Sequence, residues 1–189
     1  VGRMIAVALH LTNTFLLLGA LSLTAWWGSG HPAPAVSANR SKLRWLMIGA
    51  ATILVLGATG ALNAIGDAVF PPDVISSGLV DKYGPAAPLL LRLRVIHPIV
   101  AVAGGIFVAW IAVRLSSDAS ERSKRLSMVL TLVVFSQMFV GIANIFLLTP
   151  LYMQVIHLMV ADVLWIVFVV FGATVIEKSR VDADVIGST

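Results

Sequence analysis

Residues 95–115 read VIHPIVAVAGGIFVAWIAVRL, an apolar stretch in which Arg114 is the one charged side chain. A helix needs about 20 such residues to cross the hydrocarbon of a bilayer. Four further stretches have the same character, so the sequence predicts five membrane spans. Those four are Met4–Trp27, Trp45–Ile65, Leu126–Leu148 and Leu151–Ile176.

The composition agrees with a chain whose surroundings are lipid. Of its 189 residues 59% are hydrophobic and 12% are charged, and the mean hydropathy is +0.97. A soluble domain has about 45–50% apolar and roughly 25% charged residues. We therefore expect an all-α polytopic membrane protein. The same figures exclude a disordered chain and a nucleic-acid binder, and the absence of cysteine excludes a disulfide scaffold.

Basic residues predict how the chain is oriented and divided. Nine of the thirteen Lys and Arg fall in three segments on one side of a five-span topology. Basic loops face the cytoplasm, so we expect the C-terminus there, the loop 66–94 outside and the protein in the cell membrane. The predicted parts are a helix over 1–27, a cytoplasmic linker over 28–44, a four-helix domain over 45–178 and a cytoplasmic tail over 179–189.

An internal repeat surrounds three of the four histidines. His10 lies in VALHLTNT, His97 in RVIHPIVA and His157 in QVIHLMVA. GALNAI, from Gly60, resembles GIANIF, from Gly141, and each precedes a histidine-bearing helix. The last four helices are therefore predicted to form two related hairpins, a pseudo-symmetric bundle that sets His97 and His157 face to face at a similar depth.

Two facing imidazoles suit a metal. Neutral imidazole binds Fe, Zn or Cu, and two lone nitrogens fit haem iron best because the porphyrin supplies the other four ligands. Arg92 and Arg94 lie at the predicted outer edge, where haem propionates would meet them. The alternatives are that the histidines only bond neighbouring helices and that the arginines are interfacial anchors.

Two other polar residues give separate expectations. His31, in the Pro-rich linker, is expected to be solvated and not a ligand. Asp162, an ionisable group within a span, indicates a functional site by default, either protonated or paired with Gln137 or Asn144.

Five segments of the chain resemble the haem A synthase family. GATGALNAIGDAVFP, RLRVIHPIVAVAGG, SQMFVGIAN and QVIHLMVADVLW are similar to the second half of those enzymes. The opening VALHLTNTFLLLGALSLTAWW is similar to their fourth helix. Together these segments cover the chain from about Met4 to Ile176.

The resemblance implies a haem b held by His97 and His157, and a haem O substrate site that includes His10. The implied activity is oxidation of a haem O ring methyl to the formyl group of haem A, during terminal oxidase biogenesis. Nothing in the sequence corresponds to the family's first three helices. We therefore expect a missing first half or a homo-oligomer, and a chain that is inactive alone. The sequence does not identify the electron donor.

Two other functions fit the same residues. A membrane cytochrome b subunit that only transfers electrons would also use two axial histidines, but it would not need His10. A small transporter or assembly factor without cofactor would use its histidines for packing or proton relay.

Overall fold

The computed structural model describes residues 2–36, 39–69, 87–117 and 119–177. These residues form five α-helices, each long and apolar enough to cross a membrane, so the prediction of an all-α, five-span protein is confirmed. The helices are α1 (Gly2–Gly28), α2 (Arg40–Val69), α3 (Ala87–Ser116), α4 (Glu121–Phe146) and α5 (Leu151–Val175).

The second helix is longer than its apolar stretch at both ends. α2 begins at Arg40 rather than Trp45 and ends at Val69 rather than Ile65. Hydropathy marks the part of a helix inside the hydrocarbon, whereas backbone hydrogen bonding continues into the headgroup layer, where charged side chains are hydrated. The predicted linker over 28–44 is therefore too long at its C-terminal end.

The third helix also begins before its apolar stretch. α3 starts at Ala87, so Arg92 and Arg94 are helical, and the prediction that placed them in the outer loop is wrong. The cause is the same. Arg92 and Arg94 lie two positions apart and lower the local hydropathy, although the helix continues through them. The rest of the predicted loop, 70–86, and the predicted tail, 179–189, lie outside the described residues.

The helices pack side by side in chain order. α2 packs on α3, α3 on α4 and α4 on α5, while α2 and α3 each also contact α5 across the bundle. α1 lies against both α2 and α5 and fills the groove between them. Its buried Phe15 stacks on Trp165 of α5, and Gly19 lets the Trp165 ring approach the α1 backbone. The linker thus separates α1 from the other helices in sequence but not in space.

The buried apolar core occupies one half of the bundle, the half that contains the basic helix ends. Its largest fully buried side chains are Phe15, Val108, Ile111, Leu130, Val134 and Phe171. The other half comprises residues 55–69, 92–104, 137–146 and 151–163. Of the described residues there, only Gly66 and Asp67 are buried. Side chains in this half are therefore less enclosed by the described residues than those of the core.

Short connections fix the last two helices. The Ser120 side chain caps α4 by accepting a hydrogen bond from the Ser123 N–H. Between α4 and α5 the chain turns within residues 147–150, where Leu148 and Thr149 have φ values of 61° and 55°. The left-handed region is unfavourable for such residues. Hydrogen bonds from the Thr149 N–H to the Asn144 carbonyl (2.8 Å) and from the Gln154 amide to the Thr149 carbonyl (2.8 Å) hold the turn.

The linker is tied to the ends of the helices. The Trp26 indole N–H donates to Glu177, and Arg122 of α4 lies over the Trp26 ring. His31 stacks on Trp26 with ring centroids 3.6 Å apart, and its Nδ1 donates to the Trp26 carbonyl at 2.8 Å. His31 is half-buried, so the expectation of a solvated side chain is wrong. The turn after α1 brings His31 back onto the Trp26 indole, and the composition of the linker does not predict this contact.

Candidate functional site

The His97 ring of α3 packs against Gly60 of α2. A Cβ atom at position 60 would lie 3.2 Å from Cε1 and 3.3 Å from Nε2 of this ring, so glycine is what allows the approach. The Thr59 hydroxyl donates to the Val55 carbonyl (2.9 Å) and lies 3.1 Å from His97 Nδ1. Since that hydroxyl proton is already donated, the hydroxyl oxygen accepts from His97 Nδ1–H. The Nε2 lone pair is then left for another partner.

The His157 ring of α5 packs against Gly141 of α4 in the same way. A Cβ atom at position 141 would lie 3.1 Å from Cε1 of the ring. The Gln137 side-chain amide lies 3.3 Å from His157 Nε2 and donates to it. Nδ1 of His157 is buried and has no hydrogen-bond partner among the described residues.

The two contacts are equivalent in the two hairpins. Gly60 and Gly141 begin the matching segments GALN and GIAN, and each faces the histidine of the following helix. Counted from the helix starts, His97 is about 15 Å and His157 about 9 Å along its helix. The two histidines are therefore not at equal distances from the starts of their helices. Their equivalence is shown instead by the contact that each makes with the glycine of the preceding helix.

An ion pair lies beside His97, between the last turn of α2 and the N-terminal part of α3. Both Nε and Nη2 of Arg94 lie 2.7 Å from Oδ1 of Asp67. The Asp67 side chain is 3% exposed and that of Arg94 28%. Asn63 donates to the other Asp67 oxygen at 3.4 Å. Arg92 is exposed. Sequence reasoning had placed Asp67 and Arg94 in a loop and missed the pair, although Asn63 and Asp67 are spaced for one helix face.

Several buried polar atoms in the half of the bundle around the two histidines lack hydrogen-bond partners among the described residues. Buried polar groups are hydrogen-bonded in more than about 90% of cases, so each such atom needs an explanation. Within the described residues, the unpartnered atoms of this region are Asn63 Oδ1, Gln137 Oε1, Asn144 Oδ1, His157 Nδ1 and Asp162 Oδ1. Asp162 is therefore not paired with Gln137 or Asn144. The unpartnered polar atoms and the His97 Nε2 are the groups that a bound ligand would meet here.

The described residues offer no metal site made of side chains alone. No group of three His, Cys, Asp or Glu that could hold an ion occurs among them. A metal held by His97 and His157 would need most of its ligands from elsewhere, and a porphyrin supplies four. His10 is not part of this pair, because it lies exposed on α1.

Comparison with known proteins identifies the family. Residues 3–169 match the COX15-CtaA family, described as cytochrome oxidase assembly protein. The chain belongs to this family. The resemblance to the haem A synthase family is thereby confirmed.

Two similar proteins are protoheme IX farnesyltransferases from two strains of Thermus thermophilus. Each is 33% identical to this member of the cytochrome oxidase assembly family over 177 residues. The match covers 93% of this chain and 29% of each relative, so the chain spans less than a third of their length. No solved structure gives a significant match.

Proposed function

We propose that this chain is the haem b-binding half of a haem A synthase, the oxidoreductase that converts one ring methyl of haem O to the formyl group of haem A. The observation that carries the proposal is the duplicated histidine–glycine contact, one in each hairpin. Family membership supports it. The relatives named for farnesyl transfer to protohaem support a haem substrate, because the farnesylated haem is haem O.

His97 and His157 would be the axial ligands of haem b. The Thr59 hydroxyl orients the His97 ring with Nε2 available, an arrangement typical of metal-bound histidine. At His157 the Gln137 amide occupies Nε2, so ligation there would displace that amide. Haem b, when bound, supplies electron transfer, while the protein orients the ring and excludes water.

Arg94 and Arg92 are the proposed partners of the haem propionates. Arg94 suits this role because the buried Asp67 carboxylate fixes its guanidinium at the outer end of the site. Guanidinium groups bind carboxylates in a bidentate manner. Arg92, which is exposed, would make the more solvated contact.

His10 would face the haem O site. Its exposure on α1 agrees with a substrate site that residues from outside this chain complete, either a first half or a second copy. We further propose a cell-membrane location with the C-terminus in the cytoplasm, supported by the basic residues at the α2 and α4 starts.

A reduced-minus-oxidised spectrum with pyridine haemochrome quantification tests the haem site. The detergent-purified chain should hold about one low-spin haem b. His97→Ala and His157→Ala should each lose it, whereas His31→Ala, which removes a histidine at the other end of the bundle, should retain it. Unchanged haem content in both ligand variants would refute the proposed ligands.

A second assay separates the synthase from a cytochrome b subunit that only transfers electrons. A full-length relative or a reconstituted pair of halves should convert haem O to haem A, and His10→Ala should abolish conversion while haem b is retained. The purified chain alone should not turn over. Turnover by this polypeptide alone would contradict the proposed division of the site, and conversion by the His10 variant would contradict its substrate role.

A further inference from the structure

A cavity lies at the end of the bundle opposite to the histidine pair, between the start of α2 and the end of α3. Its volume is about 470 Å³, within the range of small-ligand pockets. α2 contributes Ser41 and Trp45 to its wall, α3 contributes Trp110 and Arg114, and Ser117 follows α3 directly. This cavity is independent of the proposed haem function.

Its wall combines aromatic rings with a cation. Trp45 and Trp110 meet edge to face with ring centroids 5.3 Å apart, and the Arg114 guanidinium lies 5.6 Å from the Trp110 ring centroid. Neither indole N–H bonds any of the described residues, so two donors and one charge are available to a ligand. Tryptophan and arginine in this combination are typical of a membrane–water interface.

The charge on Arg114 is not neutralised by the carboxylates that the structure describes at this end. Glu121 pairs with Lys124 at 2.9 Å, and Glu177 lies 4.0 Å from Arg122. Arg114 itself forms no ion pair with a described residue. Further basic residues at the same end are Arg40, Lys42 and Arg44 in the first turns of α2. The cavity is thus electropositive, which favours an anion.

An exposed apolar groove continues from the cavity towards the hydrocarbon. On α3, Ile106 is 55% and Val113 59% exposed, and with Trp110 their spacing puts them on one helix face. On α2, Ile48 is 42% exposed and follows Trp45 by one turn. A ligand with an anionic head in the cavity and an acyl chain along these residues fits both regions.

We propose that this cavity binds the headgroup of an anionic phospholipid of the surrounding bilayer. Arg114 contacts the phosphate, the indole N–H groups and the Ser41 hydroxyl donate to its oxygens, and the acyl chains lie along the α2–α3 groove. Guanidinium–phosphate contacts are among the strong hydrogen bonds of proteins. Anionic lipids concentrate beside basic juxtamembrane segments, which is the environment of this cavity.

Native mass spectrometry of the delipidated chain tests the proposal. Phosphatidylglycerol should bind more tightly than phosphatidylcholine of the same chain length. Arg114→Gln should weaken phosphatidylglycerol binding about tenfold, the loss expected for one charge-assisted contact. The matched control is Arg125→Gln, which removes an exposed charge from the same end of the bundle but outside the cavity. Ser41→Phe, which fills the cavity from the α2 side, should also weaken binding.

Two further measurements distinguish a lipid phosphate from free inorganic phosphate as the bound anion. Phosphatidylglycerol labelled with bromine near the headgroup should quench tryptophan fluorescence in the wild type and less in Arg114→Gln. Inorganic phosphate at millimolar concentration should not displace the lipid. Displacement by phosphate would overturn the assignment of a lipid. Equal phosphatidylglycerol affinity in Arg114→Gln and Arg125→Gln would overturn the site.

Discussion

The Asp67–Arg94 ion pair offers the sharpest test of how the last turn of α2 and the N-terminal part of α3 are held together. Asp67→Asn keeps the size of the side chain but leaves the Arg94 charge without the carboxylate that it contacts at 2.7 Å through both Nε and Nη2. We expect this substitution to destabilise the protein strongly, because it removes the carboxylate that accepts two short charge-assisted hydrogen bonds.

The magnitude follows from the exposure of the two partners. Removing one member of a buried, hydrogen-bonded ion pair costs about 3–5 kcal/mol. The Asp67 side chain is 3% exposed, but Arg94 is 28% exposed and regains some hydration, which favours the lower end of that range. A loss of about 3 kcal/mol corresponds to a fall in melting temperature of roughly 6–12 °C for a chain of this size.

The assay is thermal unfolding of the purified chain in detergent, followed by far-ultraviolet circular dichroism at one fixed scan rate. Glu121→Gln is the matched control, because it breaks the Lys124–Glu121 pair, whose side chains are 47% and 80% exposed. Exposed pairs contribute little, so its melting temperature should not change measurably. Equal melting of Asp67→Asn and Glu121→Gln would refute the reasoning.

Two further predictions concern helix contacts. Gly49→Ala should destabilise the chain by about 1–3 kcal/mol, because its Cβ would lie 2.9 Å from the buried Phe168 ring, whereas Gly28→Ala, with no atom within 4 Å, should be neutral in the same melts. Trp165→Phe removes the indole N–H bond to the Phe15 carbonyl and should cost about 1 kcal/mol, loosening α1. Faster proteolysis of the 29–36 linker in this variant checks the second prediction, and unchanged cleavage would contradict it.

Hydrophobicity and repetition predicted most of the architecture. The five apolar stretches are five helices. In a bilayer the backbone N–H and C=O groups must find hydrogen-bond partners within the protein, and a helix pairs them within one segment. The echo between GALN and GIAN predicted two related hairpins. The structure gives each its own glycine–histidine contact, at Gly60 with His97 and at Gly141 with His157.

The sequence pattern did not predict the hydrogen-bond partners of the two histidines. Thr59 and Gln137 bond the two rings, but which neighbour a histidine meets depends on helix rotation and register, and apolar periodicity is weak in helices surrounded by lipid. Apolar character does not predict the Asp67–Arg94 pair, because both charged residues lie in helical turns beyond the apolar stretches. That His97 and His157 bind haem iron stays a prediction, which a measurement of haem content tests.

The turn at residues 147–150 has a consequence for how the protein is made. With four residues between them and the turn held by Asn144 and Gln154, we expect α4 and α5 to enter the bilayer together as one hairpin. Gln137 meets His157 within that hairpin, so this part of the site is shielded from lipid before the neighbouring helices arrive. A turn of four residues thus determines part of the order in which the membrane domain is assembled.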